Sequence, residues 1–142
     1  MRLRSKEFEH NQLMPDKFTC SGQDINPALV IEELPQGAKS LALIVDDPDA
    51  PMGTWVHWVL FNIPVGSQID EDSIPGVEGS NDFGRNSYGG PCPPSGTHRY
   101  FFKIYALDSE LDLPVGSSKL ALEQAMQGHI LDQSELIGLY KR

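Results

Sequence analysis

Three short segments of the chain carry side chains that can exchange protons or hold an anion. Asp47-Pro48-Asp49-Ala50-Pro51 sets two carboxylates on one stretch of backbone. Each proline fixes its own φ and pushes the residue before it into an extended conformation, so the segment is stiff. Trp55–Ile63, read WVHWVLFNI, holds a single histidine, His57, inside an apolar run. Gly96-Thr97-His98-Arg99-Tyr100 places an imidazole and a phenol two residues apart, with Arg99 between them. A carboxylate beside an imidazole biases it toward the charged form. An imidazolium and a phenol then suit the charge-assisted hydrogen bonds that hold small anions.

Each residue alone has an ordinary explanation. A histidine in an apolar strand is more often a satisfied core residue than a ligand, and an Asp before Pro at a strand end is commonly a turn residue. A strand tyrosine ordinarily packs. Arg99 reads as a surface charge or an ion-pair partner. By spacing alone, Asp47, His57, His98 and Tyr100 mark only a candidate pocket. The same Asp47, His57 and His98 could instead form a general-base site or a two-histidine, one-carboxylate metal site. The patterns G-x-S-x-G, H-E-x-x-H, G-x-G-x-x-G and G-x-x-x-x-G-K-[ST] are all missing, and no Ser or Cys is placed as a nucleophile. The preferred reading is therefore a binding protein with no catalytic residue, cofactor or metal.

The elements that must position these groups are mostly strands. Turn formers are spread along the whole chain, 13 Gly and 11 Pro, with short β-branched and aromatic runs between them. That pattern predicts an all-β sandwich of antiparallel sheets in a single domain over 1–142, with one or two short helices near the C-terminus. Ser40–Val45, Trp55–Ile63 and Thr97–Leu107 are the strong strands. Lys6–Phe8 and Ala28–Glu32 are weaker ones. Strict alternation places His57 on one face with Trp55, Val59, Phe61 and Ile63, leaving Trp58 and Leu60 on the other. Both faces are apolar, which predicts a central strand. His98 and Tyr100 share a face with Phe102 and Ile104, while Arg99 points the opposite way with Phe101 and Lys103. A helix is predicted after a Ser117 or Ser118 cap, with Leu120, Leu122, Ala125 and Met126 as its apolar face and Gly128 as its stop. His129–Tyr140 fits either a strand or a second helix. His10 reads as solvated, and His129 as a partner for carbonyls at the helix end. Pro75–Gly96 is too long for a plain connection, and its proline density argues for a stiff binding loop.

Charge sets the class of partner. The 142 residues carry 11 Lys and Arg against 20 Asp and Glu, a net charge of −9. There is no basic stripe for nucleic acid and no cationic cluster for an anionic membrane surface. An anion would have to be held in a local pocket, against the overall field. The N-terminal residues MRLRSKEFEHN lack an apolar targeting segment, and no run is long enough to span a membrane. The expected location is the cytoplasm. Cys20 and Cys92 are accordingly read as free thiols, with a bridge as the alternative. Exposed strand edges would allow a homodimer.

Taken together, the segments resemble the phosphatidylethanolamine-binding family, also called Raf-kinase-inhibitor-like proteins, in its short bacterial and archaeal branch. The family's Asp-Pro-Asp-x-Pro and Gly-x-His-Arg motifs stand here as Asp47–Pro51 and Gly96–Arg99. His57-Trp58-Val59 with Asn62-Ile63-Pro64, Phe18–Gly22, Gly90–Pro94 and Gly128–Leu131 also match, in order along nearly the whole chain. The resemblance implies two packed antiparallel sheets and a pocket for phosphate-like anions or a phosphorylated headgroup. It implies that Asp47, His57, His98 and Tyr100 form that pocket, that Trp55 and the Gly90-Pro91 turn line its mouth, and that Asp49, Pro51 and Arg99 support it. Some members are described as protease or kinase inhibitors, so a protease or kinase is a second kind of expected partner. Vertebrate members have paired histidines where this chain has Val56-His57, and a longer C-terminal segment at the mouth. Anion binding therefore carries over more readily than kinase inhibition.

Overall fold

The structure, a computed structural model, describes residues 1–142. Nine strands and one α-helix follow one another as β1 (Arg2–Arg4), β2 (Gln12–Leu13), β3 (Leu29–Glu32), β4 (Ser40–Asp47), β5 (Trp55–Ile63), β6 (Gln68–Ile69), β7 (Val77–Glu78), β8 (Thr97–Leu107), α1 (Lys119–Met126) and β9 (Ile130–Lys141). Strands β2, β6 and β7 are two residues long, too short to leave a periodic signature in the sequence. Lys6–Phe8 is not a strand; the N-terminal pairing is made by Arg2–Arg4 against Val30–Glu32 instead. The ambiguous C-terminal stretch is a strand, because all of it from Ile130 onward pairs with β8.

The strands form two sheets, a small one ordered β1-β3-β6 and a large one ordered β2-β9-β8-β4-β5-β7. Pairing is antiparallel throughout except where β2 runs parallel to β9. The centre of the large sheet is β4 with β8, and every residue of β4 is buried. Strand β5 is paired on its outer side only at Leu60 and Phe61, so it is not central by its ladder. The rest of that edge is closed by the 79–89 segment. The amides of Gly79, Asp82 and Gly89 donate to the carbonyls of Val59, Val56 and His57. Its apolar faces thus reflect a covering loop rather than a neighbouring strand.

Burial follows alternation across the large sheet. Leu41, Leu43, Val45, Phe102 and Ile104 face the small sheet and pack with Leu3, Leu29, Ile31 and Ile69. Ala42, Ile44, Val59, Phe61 and Leu107 face the other way, beneath Leu122 and Met126 of α1. Ser118 caps the helix by accepting from the Ala121 amide, and Gly128 follows with φ +80°. Leu120 does not belong to the apolar face of α1; it is exposed. On the helix side, buried Asp46 accepts from both Lys103 and Lys119 and so ties α1 to the sheet.

Two irregularities break the alternation in β5. Asn62 has φ +50°, and the β4–β5 register shifts between Leu41 and Leu43. Ile63 is therefore turned into the space between the sheets, with Trp58 and Leu60, and not onto the Val59 and Phe61 face. A second shift falls between Val45, opposite Trp58, and Asp46, opposite Val56. His57 is the extra residue of that bulge.

Candidate functional site

The bulge is what brings the site together. On an unbroken strand His57 would sit beside Val59 and Phe61, under the helix. Instead its ring packs edge-on against Tyr100 with centroids 5.2 Å apart, on the face between the sheets. Asp47 follows Val45 onto that face by simple alternation, and His98 and Tyr100 precede Phe102 on it. All four expected residues therefore meet around one cavity of about 220 Å³. That is below the roughly 300–1,000 Å³ typical of pockets for drug-sized ligands, so the cavity suits a small group.

The polar tips are held by specific bonds. His98 Nδ1 donates to Asp47 Oδ2 at 2.7 Å. Asp47 Oδ1 accepts the Asp49 amide at 2.7 Å, so both oxygens of this buried carboxylate are engaged. His57 Nδ1 donates to the Gly89 carbonyl at 2.7 Å, which hangs the histidine on the loop that closes the β5 edge. Burial lowers the His57 pKa from 6.5, against weaker upward pulls from the Gly89 carbonyl and Asp47. Burial likewise raises the Tyr100 phenol far above its ordinary value, helped by Asp47, so it stays a protonated donor. No group of three His, Cys, Asp or Glu side chains is arranged to hold a metal ion.

The expected supporting residues lie at the edge. Asp49 accepts from the Arg99 amide at 3.0 Å and from Arg99 Nε and Nη2, each at 2.9 Å. The Arg99 guanidinium holds the Asp49 carboxyl below its usual range. Pro51 and Trp55 line the cavity, and Trp55 packs edge-on against Phe83 at 5.5 Å. Gly90 and Pro91 do not line it. They lie buried one layer behind, where Gly90 donates to Asp24 and Pro91 accepts from the Cys20 amide. A Cβ on Gly90 would come within 2.3 Å of the Phe18 carbonyl, so this close approach requires glycine. The wall itself is made by Cys92, Pro93 and Pro94, with Phe83 opposite. Phe83 was not anticipated, although it is the one aromatic residue in the polar stretch that follows Pro75 before Tyr88.

Other expectations change as well. Cys20 and Cys92 form a disulfide, with Cα atoms 5.4 Å apart across 72 residues of sequence. The free-thiol reading rested on compartment alone, and folding brings the two segments into contact. All X–Pro bonds are trans. The His129 ring pairs with Asp108 at 2.8 Å while its amide donates to the Met126 carbonyl at the helix end, and His10 accepts the Ile137 amide. No helix is long and apolar enough to cross a membrane.

The geometry can now be set beside known proteins. The family model for phosphatidylethanolamine-binding protein matches residues 4–141. The chain belongs to the phosphatidylethanolamine-binding protein family. A UPF0098 protein of Methanothermobacter thermautotrophicus is 49% identical over 100% of this chain and 99% of its own length. One from Pyrococcus horikoshii is 51% identical over 97% of this chain and 75% of its own. These relatives place the chain in the bacterial and archaeal branch. The crystal structure of a phosphatidylethanolamine-binding protein homolog from Chlamydia trachomatis superposes with TM-score 0.96 at 41% identity, covering 99% and 97% of the two chains. The crystal structure of an Escherichia coli protein described as a new member of the mammalian phosphatidylethanolamine-binding protein family gives TM-score 0.89 at 30% identity, covering 99% and 98%. The two-sheet fold with its C-terminal helix is thus that of the family.

Proposed function

We propose that this family member binds a small phosphate-type group, such as inorganic phosphate or phosphoethanolamine, in the cavity bounded by Asp47, His57, His98 and Tyr100, and that it acts by binding rather than by catalysis. The observation that carries the reading is the convergence of two imidazoles and a phenol on one small cavity, with a buried carboxylate held against one imidazole at 2.7 Å. The prolines of its wall support the reading, since a pre-ordered wall lowers the entropy lost on binding. Titration with inorganic phosphate and O-phosphoethanolamine, followed through the histidine ring signals by NMR, tests it. Saturable movement of the His57 and His98 signals together is expected. A His57→Ala, His98→Ala double variant that binds phosphate as well as the parent would overturn the reading.

A second reading, contact with a protein such as a protease or kinase, is favoured by one feature. Met52 is 97% exposed beside the mouth, with Trp55 and Phe83 each 37% exposed, an apolar rim around a polar floor. In that case a Met52→Ser variant would lose the partner while keeping phosphate binding.

A further inference from the structure

The hydrogen bonds that fix the two histidines also decide which of their atoms face a ligand. His57 Nδ1 lies 2.7 Å from a carbonyl and His98 Nδ1 lies 2.7 Å from a carboxylate. Neither acceptor has a hydrogen to give, so each Nδ1 must carry one. In a neutral imidazole the other nitrogen, Nε2, is then a bare lone pair. Neither Nε2 has a partner in the protein, and no side-chain nitrogen or oxygen sealed from solvent is left unpaired. Both rings line the same cavity, so both Nε2 atoms open into it, together with the Tyr100 hydroxyl. His57 thus presents a bare acceptor to the cavity beside the Tyr100 donor, which is the wrong complement for an anion that brings only lone pairs.

We infer that the cavity selects phosphate that carries a P–OH group, with His57 Nε2 accepting that hydrogen while His98 Nε2–H and Tyr100 O–H donate to the remaining oxygens. This rests on the anion-binding reading above and names the ligand class within it: inorganic phosphate and the monoanions of phosphomonoesters, over sulfate and phosphodiesters. His98 keeps its Nδ1 hydrogen on the Asp47 carboxylate, so Nε2 is the nitrogen it turns to the ligand oxygens. The acceptor behind His57 is an uncharged carbonyl, and burial holds His57 neutral. His57 is therefore the specificity-determining group.

Bound as HPO4²⁻, phosphate keeps its own hydrogen on the oxygen facing His57. The ionisable groups around this pair are few. Asp47 comes from β4, Tyr100 from β8, and Tyr140 from β9 opposite His98, while Asp46 lies on the helix side of β4 with Lys103 and Lys119. Asp49 is paired with Arg99, and Arg142 acts on Tyr100 from the C-terminus. Cys92 is bridged and does not titrate.

Calorimetric titration of the intact protein with inorganic phosphate, monomethyl phosphate, dimethyl phosphate and sulfate tests this, on the acidic side of the monoester's second ionisation. Phosphate and its monoester should bind roughly tenfold or more tightly than sulfate and the diester, the size expected when a cavity acceptor is left facing another lone pair. In His57→Asn, whose amide can still donate to Gly89, the preference for phosphate over sulfate should collapse while weaker binding persists. Equal or tighter binding of sulfate or the diester overturns the inference and leaves the anion pocket standing. Failure of all four probes to bind at any pH overturns the anion-binding reading itself.

Discussion

His57 links the stability of the protein to pH. Its pKa is lowered by burial, so the folded state resists a proton that the unfolded chain accepts with a pKa near 6.5. Its stabilising contribution is then fully present above pH 6.5 and is lost as pH falls through the lower folded value. Denaturant unfolding across this range should show the parent weakening on acidification, with a flatter profile for His57→Asn; identical slopes would remove His57 as the source. Asp49 acts in the same direction in a lower window. Its pKa is lowered by Arg99, so its contribution is present above the ordinary carboxylate range and is lost as pH falls through the depressed value. The pair is solvent-exposed on the Arg99 side, so Asp49→Asn should cost only about 0.5–1 kcal/mol in urea unfolding. A larger loss would mean that the Arg99 amide bond, not the ion pair, is what holds the loop.

Two connections between elements hold the wall of the cavity. The Cys20–Cys92 bridge fastens the wall segment to the turn that follows β2, closing a loop of 72 residues. Loop-closure entropy puts its contribution at about 4 kcal/mol. Cys92→Ser, or reduction by a dithiol, should lower stability by about that amount in thermal or denaturant unfolding; a change below about 1 kcal/mol would show that the packing of Pro91 and Pro93 suffices. Gly90 is the second connection. Its hydrogen atoms sit where a methyl group would press on the Phe18 carbonyl and the Asp24 carboxylate. Neither neighbour is a flexible side-chain end free to retreat, since Asp24 is held by the Gly90 amide. Gly90→Ala should cost about 1–3 kcal/mol and weaken phosphate binding, although Gly90 never touches the cavity. Unchanged affinity in a folded Gly90→Ala protein would show that the wall moves independently of the site.

For the whole molecule the dominant fact is a net charge of −9 around the proposed anion pocket. On that proposal an approaching phosphate would be repelled at long range and attracted only once inside. Raising ionic strength from about 0.01 M to about 0.15 M shortens the Debye length from about 30 Å to about 8 Å. It should therefore speed phosphate association, read from NMR line shapes with a salt of weakly binding ions. A slower rate at higher salt would mean that a local positive field guides the ligand instead. The same acidity fits a family member whose ligand is selected by hydrogen-bond geometry rather than gathered by charge.

Much of the architecture is legible along the chain because local patterns encode it. The alternation in Thr97–Leu107, the continuous apolar run before Asp47 and the cap-and-glycine frame of α1 each depend on residues within a few positions of one another. The motif residues Asp47, His57, His98 and Tyr100 could be singled out for the same reason. What needed the tertiary structure is whatever depends on register. A one-residue bulge opposite Val45 and Asp46 turns His57 from the helix side of the sheet to the cavity, and the composition of WVHWVLFNI contains no sign of it. The pairing of Cys20 with Cys92, the retreat of Gly90 behind the wall and the entry of Phe83 into the rim all join segments far apart in sequence. The protonation pattern of the site is decided at that level too. Which imidazole nitrogen carries hydrogen follows from a carbonyl at Gly89 and a carboxylate at Asp47, brought within 2.7 Å of the rings by the fold alone.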